Sequence, residues 1–393
     1  MSALPPVTSD FYDLEALLPD EDRALLHRVR GFMDEQVEPI INEYWTRARF
    51  PRQLIPEMAK LGIAGAQYSG FGCPGLSTLT DGMIAMELSR GDPSVATFMG
   101  VHGGLAMGSI YLCGSEEQKE RWLPEMARME RIGAFGLPEP DHGSDVARGL
   151  GTTCRRDGDA WVLDGSKKWI GNGSFADLVI IWARDVDTDR VLGFVVETPA
   201  EGFTAVALED KIALRAVQNA LITLDGVRVP EENRLQQAHG FRSTADVLRM
   251  TRASVAWSAV GCARGAYEHA LTYAREREQF GRPIVGFQLV QELLVRMLGN
   301  ITASAAMCAR LSQLQDAGRM TDEQASLAKA FSTVRMRETV GWARELMGGN
   351  GILLENHVGR YVADAEAIYS YEGTREVNTL IVGRAVTGTS AIV

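Results

Sequence analysis

The chain has 393 residues, 46% of them hydrophobic, enough for two or three domains or for one large helical assembly with an inserted unit. A formal net charge of -11, with no Lys/Arg block anywhere, excludes nucleic acid as a partner, because phosphate binding needs a basic surface. Cys73, Cys113, Cys154, Cys262 and Cys308 lack C-x-x-C spacing and read as buried thiols of a reducing compartment, not as a disulfide framework or zinc site. Met1 to Asp13 has neither the basic start nor the apolar run of a signal peptide, and no stretch reaches the uncharged length of a membrane span. The expected location is the cytoplasm, with no membrane partner.

Leu25, Leu26, Val29, Phe32, Met33 and Val37 recur at three-four spacing and predict an amphipathic helix from about Asp20. A second, short helix carries Leu54, Ile55, Met58 and Leu61 and ends at Gly62. After the glycine-rich Gly70 to Ser77, helical spacing resumes over Thr78 to Arg90 until Asp92-Pro93 breaks it. Ser94 to Leu112 has few charges and predicts a buried core helix, too short and glycine-interrupted for a membrane. Ser115-Glu116-Glu117-Gln118 is a capping box opening a helix with Trp122, Leu123 and Met126. Residues 1–132 therefore read as an all-helical N-terminal domain.

At Ile132 the pattern changes. Pro138-Glu139-Pro140-Asp141-His142-Gly143-Ser144-Asp145 cannot be helical. Asp157-Gly158 and Asp164-Gly165 are hairpin signals around Trp161-Val162-Leu163. Leu178 to Trp182, Val191 to Val196, Phe203 to Leu208 and Ala220 to Val229 have strand length. Residues 133–240 thus predict a small central antiparallel β domain. From Phe241 three long helices follow, roughly Ser243 to Arg275, Gln288 to Ala317 and Thr321 to Met347, so 241–393 predicts a C-terminal helical bundle. The expected fold is mainly α with an inserted β domain.

The six histidines never fall at metal-ligand spacing, so no metal is expected. There is no G-x-S-x-G elbow and no G-x-G-x-x-G between strand and helix, which removes triad acyl transfer and a Rossmann nicotinamide site. Four loops remain. In Tyr371-Glu372-Gly373-Thr374 a carboxylate sits on the turn ahead of a helix capped by Thr374; it is either a base or a surface acid tuned to the helix dipole. Trp169-Ile170-Gly171-Asn172-Gly173 either sets an indole and free N–H groups around a flat ring or is an ordinary glycine turn. Arg277-Glu278-Gln279-Phe280-Gly281 offers an arginine for a diphosphate or a solvated charge at a helix end. Met347-Gly348-Gly349-Asn350-Gly351 allows close backbone approach or is a C-cap.

Together with Phe135-Gly136-Leu137-Pro138-Glu139-Pro140-Asp141-His142-Gly143-Ser144-Asp145 and Lys168-Trp169-Ile170, these motifs have the order and approximate spacing of the acyl-CoA dehydrogenase family, which the chain resembles from about Phe11 to its C-terminus. Tyr371-Glu372-Gly373-Thr374 and the ending Gly383-Arg384-Ala385-Val386-Thr387-Gly388 are similar to the branch of glutaryl-CoA dehydrogenases and plant peroxisomal short-chain acyl-CoA oxidases. The resemblance implies a three-part fold with a C-terminal four-helix bundle, bound FAD between the β domain and the bundle, and a homotetramer. It implies α,β-dehydrogenation of an acyl-CoA to trans-2-enoyl-CoA, with Glu372 removing the α-proton and hydride leaving for flavin N5. Electrons would pass to an electron-transfer flavoprotein. By motif position, Phe135, Leu137, Pro138, Gly143 and Ser144 would border the flavin, Trp169, Ile170 and Gly171 would cover it, and Thr374 and Glu376 would complete the pocket. Arg277, Phe280 and Gln288 would reach the diphosphate and adenosine end, while Glu345, Gly348 and Gly349 would come from a neighbouring subunit. Ala96, Thr97, Ser144, Leu248, Arg252, Tyr371 and Gly373 would contact the substrate, with Leu248 to Arg252 along the CoA channel.

Two departures accompany the resemblance. Pro138 stands where the family has a threonine, and supplies neither a hydroxyl nor an N–H to the flavin pyrimidine edge. Ala96, followed by Thr97, stands where glutaryl-CoA dehydrogenases hold the distal carboxylate with an arginine, and Gly100 replaces a serine. A buried carboxylate without a cation is costly, so an uncharged short acyl chain is expected over glutarate. The alternatives are a decarboxylating glutaryl-CoA dehydrogenase, a short-chain acyl-CoA oxidase, or a non-catalytic acyl-CoA or flavin binder.

Overall fold

The computed structural model describes residues 7–391; the first six residues of the Met1 to Asp13 segment lie outside them. The helix starting at Asp20 is α1 (Asp20–Phe32), which passes through one wide turn, Met33–Val37, into α2 (Glu38–Thr46). Next, α3 (Ile55–Leu61) ends on left-handed Gly62. The glycine-rich stretch after it is a small hairpin, β1 (Ser69–Gly70) with β2 (Cys73–Pro74), which corrects the all-helical reading of this region. It is closed by Gly70 and Gly72 at positive φ, a backbone shape that composition alone does not separate from irregular loop.

The helices α4 (Thr78–Gly91) and α5 (Pro93–Met99) meet at Asp92, whose carboxylate caps α5 by accepting the Val95 N–H at 2.9 Å. A wide turn, Gly100–Ala106, joins α5 to α6 (Met107–Cys113); over Pro93–Cys113 this run is, contrary to the expectation, long and apolar enough to cross a membrane, but it is largely buried in the fold as a core element. The expected capping box at Ser115 and Gln118 opens α7 (Glu116–Ala127).

The central sheet has seven strands: β3 (Gly133–Gly136), β4 (Thr153–Asp157), β5 (Ala160–Ile170), β6 (Leu178–Asp185), β7 (Val191–Glu197), β8 (Phe203–Ala207) and β9 (Ala220–Pro230), with a short helix α8 (Val146–Gly149) before β4. It is mixed and not purely antiparallel, because β3 and β4 both run parallel to β6. The hairpin-by-hairpin reading could not see pairings closed by long connections. Asp164-Gly165 makes no turn either. It is a bulge inside β5, where Gly165 lets Thr152, just ahead of β4, approach closer than a side chain would allow. In β6, Leu178, Ile180 and Trp182 join the core shared with the helices, while Val179, Ile181 and Ala183 face a second core within the β domain. Both faces are buried, so this strand reads as an unbroken apolar run.

The C-terminal part is built on α9 (Phe241–Glu276), followed by a two-residue-strand hairpin of β10 (Glu278–Gln279) with β11 (Arg282–Pro283), then α10 (Gln288–Asp316), α11 (Asp322–Leu346), α12 (Val358–Ser370) and α13 (Arg375–Thr387). α9 packs on α10, α11 and α12, and also tightly on α4 of the N-terminal part. Gly261 and Gly265 make that last contact possible: a Cβ on either would run into the backbone carbonyl of Met86 or Arg90. Gly261→Ala is expected to destabilise the protein by about 1–3 kcal/mol through overpacking against an immovable backbone; a chemical-denaturation midpoint unchanged from wild type would count against this close-packing account.

Candidate active site

Local sequence dictates the turn that carries Glu372. α12 ends at Ser370, Tyr371 is extended, Glu372 and Gly373 take left-handed φ of 56° and 85°, and Thr374 caps α13 by accepting the Val377 N–H at 3.2 Å. For glycine this shape is easy, but for glutamate it costs about 1–3 kcal/mol and must be held from outside. The buried amide of Asn378 donates to the carbonyls of Gly373 (2.8 Å) and Thr374 (3.0 Å). The buried Lys329 of α11 donates to the carbonyls of Tyr369 (2.8 Å) and Gly373 (2.7 Å), one on each side of Glu372. From α9, Arg252 Nε donates to the Glu372 carbonyl at 3.4 Å and the Thr251 hydroxyl to its carboxylate at 3.1 Å.

Desolvation pushes the Glu372 carboxyl above the ordinary glutamate range, and Arg252, Thr251 and Lys329 pull it only part of the way back. The Glu372 N–H has no acceptor among the described residues. A carboxylate and an unpaired backbone N–H therefore belong to one residue. Thr97 of α5 faces the Tyr371 hydroxyl, and Ala96 beside it is buried and apolar.

A second group lies at the ends of β3 and β5. Phe135 is buried edge-on to Trp182, and Leu137 is buried next to half-exposed Pro138. The Lys168 N–H donates to the Pro138 carbonyl at 2.9 Å, which joins this segment to Trp169, Ile170 and Gly171. Beneath them, buried Lys167 donates to Glu139 (2.8 Å) and to the Leu137 carbonyl (3.1 Å), and Glu139 also accepts the N–H groups of Gly151 and Thr152. Burial brings Lys167 down to about 8 despite the facing carboxylate. Trp169 is 55% exposed with φ of 69°, so its indole stands free at the edge, and Gly143 and Ser144 lie exposed in the adjoining loop. The wide turn after α5 links the two groups. A Cβ on Gly171 would sit 2.9 Å from Val101, and one on Gly104 would sit 3.5 Å from Thr251.

A third group is elsewhere. Tyr273, Arg277, Phe280, Phe287, Gly348 and Gly349 line one open cavity of about 450 Å³, with Phe280 92% exposed, while Gln288 and Glu345 are exposed outside its lining. At about 1.5 Å per helical residue, Thr251 and Arg277 lie about 39 Å apart along α9. The expectation placed Glu345, Gly348 and Gly349, but not Arg277, on a neighbouring subunit. Arg277, Gly348 and Gly349 line this one cavity together. Thr374 is half-buried, and exposed Glu376 pairs with Arg375 at 2.9 Å.

Sequence reasoning missed Lys329, Asn378 and the Glu139–Lys167 pair. The one available signal for Lys329 was a cation amid the apolar helical stretch Ala325 to Ala330. Glu38, His269 and His357 also converge, with ligand atoms all within 4.8 Å of one another, where linear spacing gave no hint. The Arg360 guanidinium, 3.4 Å from His357 Nδ1, supplies a positive charge there already and opposes a divalent ion.

With this geometry in hand, three family descriptions match in tandem: acyl-CoA dehydrogenase N-terminal domain over residues 19–130, middle domain over 134–227 and C-terminal domain over 238–387. The chain belongs to the acyl-CoA dehydrogenase family. It is an FAD-dependent oxidoreductase with the three-part fold of that family. A glutaryl-CoA dehydrogenase from Mycobacterium smegmatis is 40% identical and superimposes with a TM-score of 0.94, covering 98% of this chain and 99% of that one. Another from the same organism, in complex with FADH2, is 36% identical with a TM-score of 0.95, covering 99% and 100%. The mitochondrial short-chain specific acyl-CoA dehydrogenase of Bos taurus is 31% identical over 373 residues, 93% of this chain and 90% of its own.

The residues present suit FAD: a free indole and glycine-lined strand ends for a flat ring, and an arginine beside paired glycines for a diphosphate. Lys167→Met would leave Glu139 buried without its cation. In this acyl-CoA dehydrogenase it is expected to cost about 3–5 kcal/mol and to loosen FAD retention; an unchanged melting temperature and full flavin content on gel filtration would refute it.

Proposed function

We propose that this acyl-CoA dehydrogenase oxidises a short, uncharged acyl-CoA thioester to its trans-2-enoyl-CoA, with Glu372 as the base. The observation that carries the reading is Glu372 itself, a desolvated carboxyl on a strained turn whose own N–H has no acceptor among the described residues. The thioester carbonyl takes that N–H, which polarises it and makes the α-proton acidic enough for the adjacent carboxylate to remove. One residue thus fixes base and oxyanion donor in a single geometry. Bound FAD supplies the acceptor for the hydride leaving Cβ. Phe135, Leu137, Pro138, Gly143, Ser144, Trp169, Ile170, Gly171 and Thr374 hold the ring from one protomer. Arg277, Phe280, Gln288, Glu345, Gly348 and Gly349 of a partner protomer hold the diphosphate and adenosine, which supports a homo-oligomer, read as a homotetramer. Pro138 gives the ring no donor, since proline has no N–H, and its carbonyl already accepts from the Lys168 N–H.

Leu248 and Arg252 line the route for CoA, and Ala96, Thr97, Tyr371 and Gly373 line the acyl end. Ala96 and Thr97 offer no cation, and Arg252 and Lys329 are engaged on the Glu372 turn. Likeness to the Mycobacterium smegmatis enzyme favours a second reading, oxidation of glutaryl-CoA with decarboxylation. The electron acceptor is an electron-transfer flavoprotein and the location the cytoplasm; a short-chain oxidase would instead pass electrons to oxygen.

Anaerobic mixing of the yellow protein with butyryl-CoA or hexanoyl-CoA is expected to bleach the flavin, and glutaryl-CoA is expected not to; bleaching by glutaryl-CoA alone reverses the substrate assignment, and rapid re-oxidation in air reassigns the enzyme as an oxidase. Glu372→Gln should keep FAD and lose bleaching, and an active variant removes Glu372 from the reaction. Because the base must be ionised and burial raises its pKa, the bleaching rate should fall with decreasing pH at values above the ordinary glutamate range; a rate flat down to pH about 4 contradicts that assignment.

A further inference from the structure

We infer that Lys329 is a positioning residue for the base: its ammonium holds the Glu372 turn in its left-handed shape and keeps the Glu372 carboxyl poised to ionise. The inference rests on the reading of Glu372 as the base. Lys329 is fully buried on α11, and its Nζ spans the carbonyls of Tyr369 at 2.8 Å and Gly373 at 2.7 Å, which flank Glu372. Among the described residues no carboxylate lies within ion-pair distance of it, so its hydrogen bonds go to the turn's backbone. A buried ammonium without a bonded counter-ion is expensive, and an apolar side chain would pack as well against α12 and α13 if filling space were the only need.

The charged groups around it come from three elements. Arg252 of α9, Glu372 on the turn and Glu376 of α13 all act on Lys329, and burial brings it down to about 8. Around Glu372 the corresponding set is Arg252, the Thr251 hydroxyl and Lys329. Two cations thus flank the base, and they act on different atoms. Arg252 reaches the Glu372 carbonyl itself, while Lys329 ties Tyr369, three residues before it, to Gly373, just after it, and so braces the segment that carries the Glu372 N–H.

The test uses the FAD-loaded enzyme carrying Lys329→Met, Lys329→Gln or Lys329→Arg, with the pH dependence of anaerobic bleaching by butyryl-CoA as readout. Lys329→Met removes both clamp and charge; its rate should drop about a hundredfold, the scale set by misplacing a reacting group by about 1 Å. Its acid limb should move to higher pH, because the carboxyl has lost a nearby cation. Lys329→Gln keeps donors but no charge, so its limb should shift with a smaller rate loss. Lys329→Arg keeps the charge, so the limb should return to the wild-type position. Where the Met variant does not hold FAD, the Gln and Arg pair decides the matter. A Gln variant with wild-type rate and an unmoved limb overturns the role of Lys329, as does a limb that stays fixed while all three variants merely slow. Glu372→Gln separates the two ideas: bleaching by that variant sinks the base assignment, whereas an inert Glu372→Gln beside unaffected Lys329 variants sinks only the positioning role.

Discussion

The close approach of α9 to α4 is the constraint on which the rest of the molecule depends. Gly261 and Gly265 let the backbone of α9 lie directly on the carbonyls of Met86 and Arg90. That contact fastens the C-terminal helices to the N-terminal ones. It also encloses Glu87, which is fully buried yet accepts from Arg30 at 2.7 Å and Arg90 at 2.8 Å, with Arg264 at 3.3 Å. Burial alone would favour the neutral acid, but the surrounding guanidinium groups outweigh it and hold Glu87 well below the usual carboxylate range. Fixed there, α9 acts as a rigid spine with Thr251 and Arg252 against Glu372 near one end and Arg277 at the other.

The site is built from the same economy of means. A strained glutamate can be stable only where neighbours over-determine it. Here α9, α11 and the cap of α13 each contribute hydrogen bonds to a turn of four residues. Opposite it, a buried lysine–glutamate pair ties together the two strand ends that meet the flavin in the proposed reading. Both halves use ionic groups not as surface charges but as struts for backbone carbonyls and N–H groups, where a low dielectric makes each bond stiff.

Much of this was legible in the chain. The Ser115 capping box, the Gly62 stop, the Asp92-Pro93 break and the Thr374 cap all report local backbone chemistry, and each is where its residues predict it. The Asp164-Gly165 pair was misread because a turn and a bulge use the same left-handed or glycine-only conformations and differ only in which strand lies alongside. The parallel pairing of β3 and β4 with β6 was invisible for a related reason, since nothing in the apolar runs encodes the direction of a distant partner.

The sequence by itself determined the family, the reaction class and the identity of the candidate base, because these rest on short motifs whose residue types and order carry the information. Only the tertiary structure decided what surrounds that base. Lys329 and Thr251 lie 43 and 121 positions from Glu372, and Arg277 is held far from it by the length of one 36-residue helix. Distances of this kind come from packing, where rigid helices and a few side-chain-free contacts set which groups meet, and no local pattern can hold them.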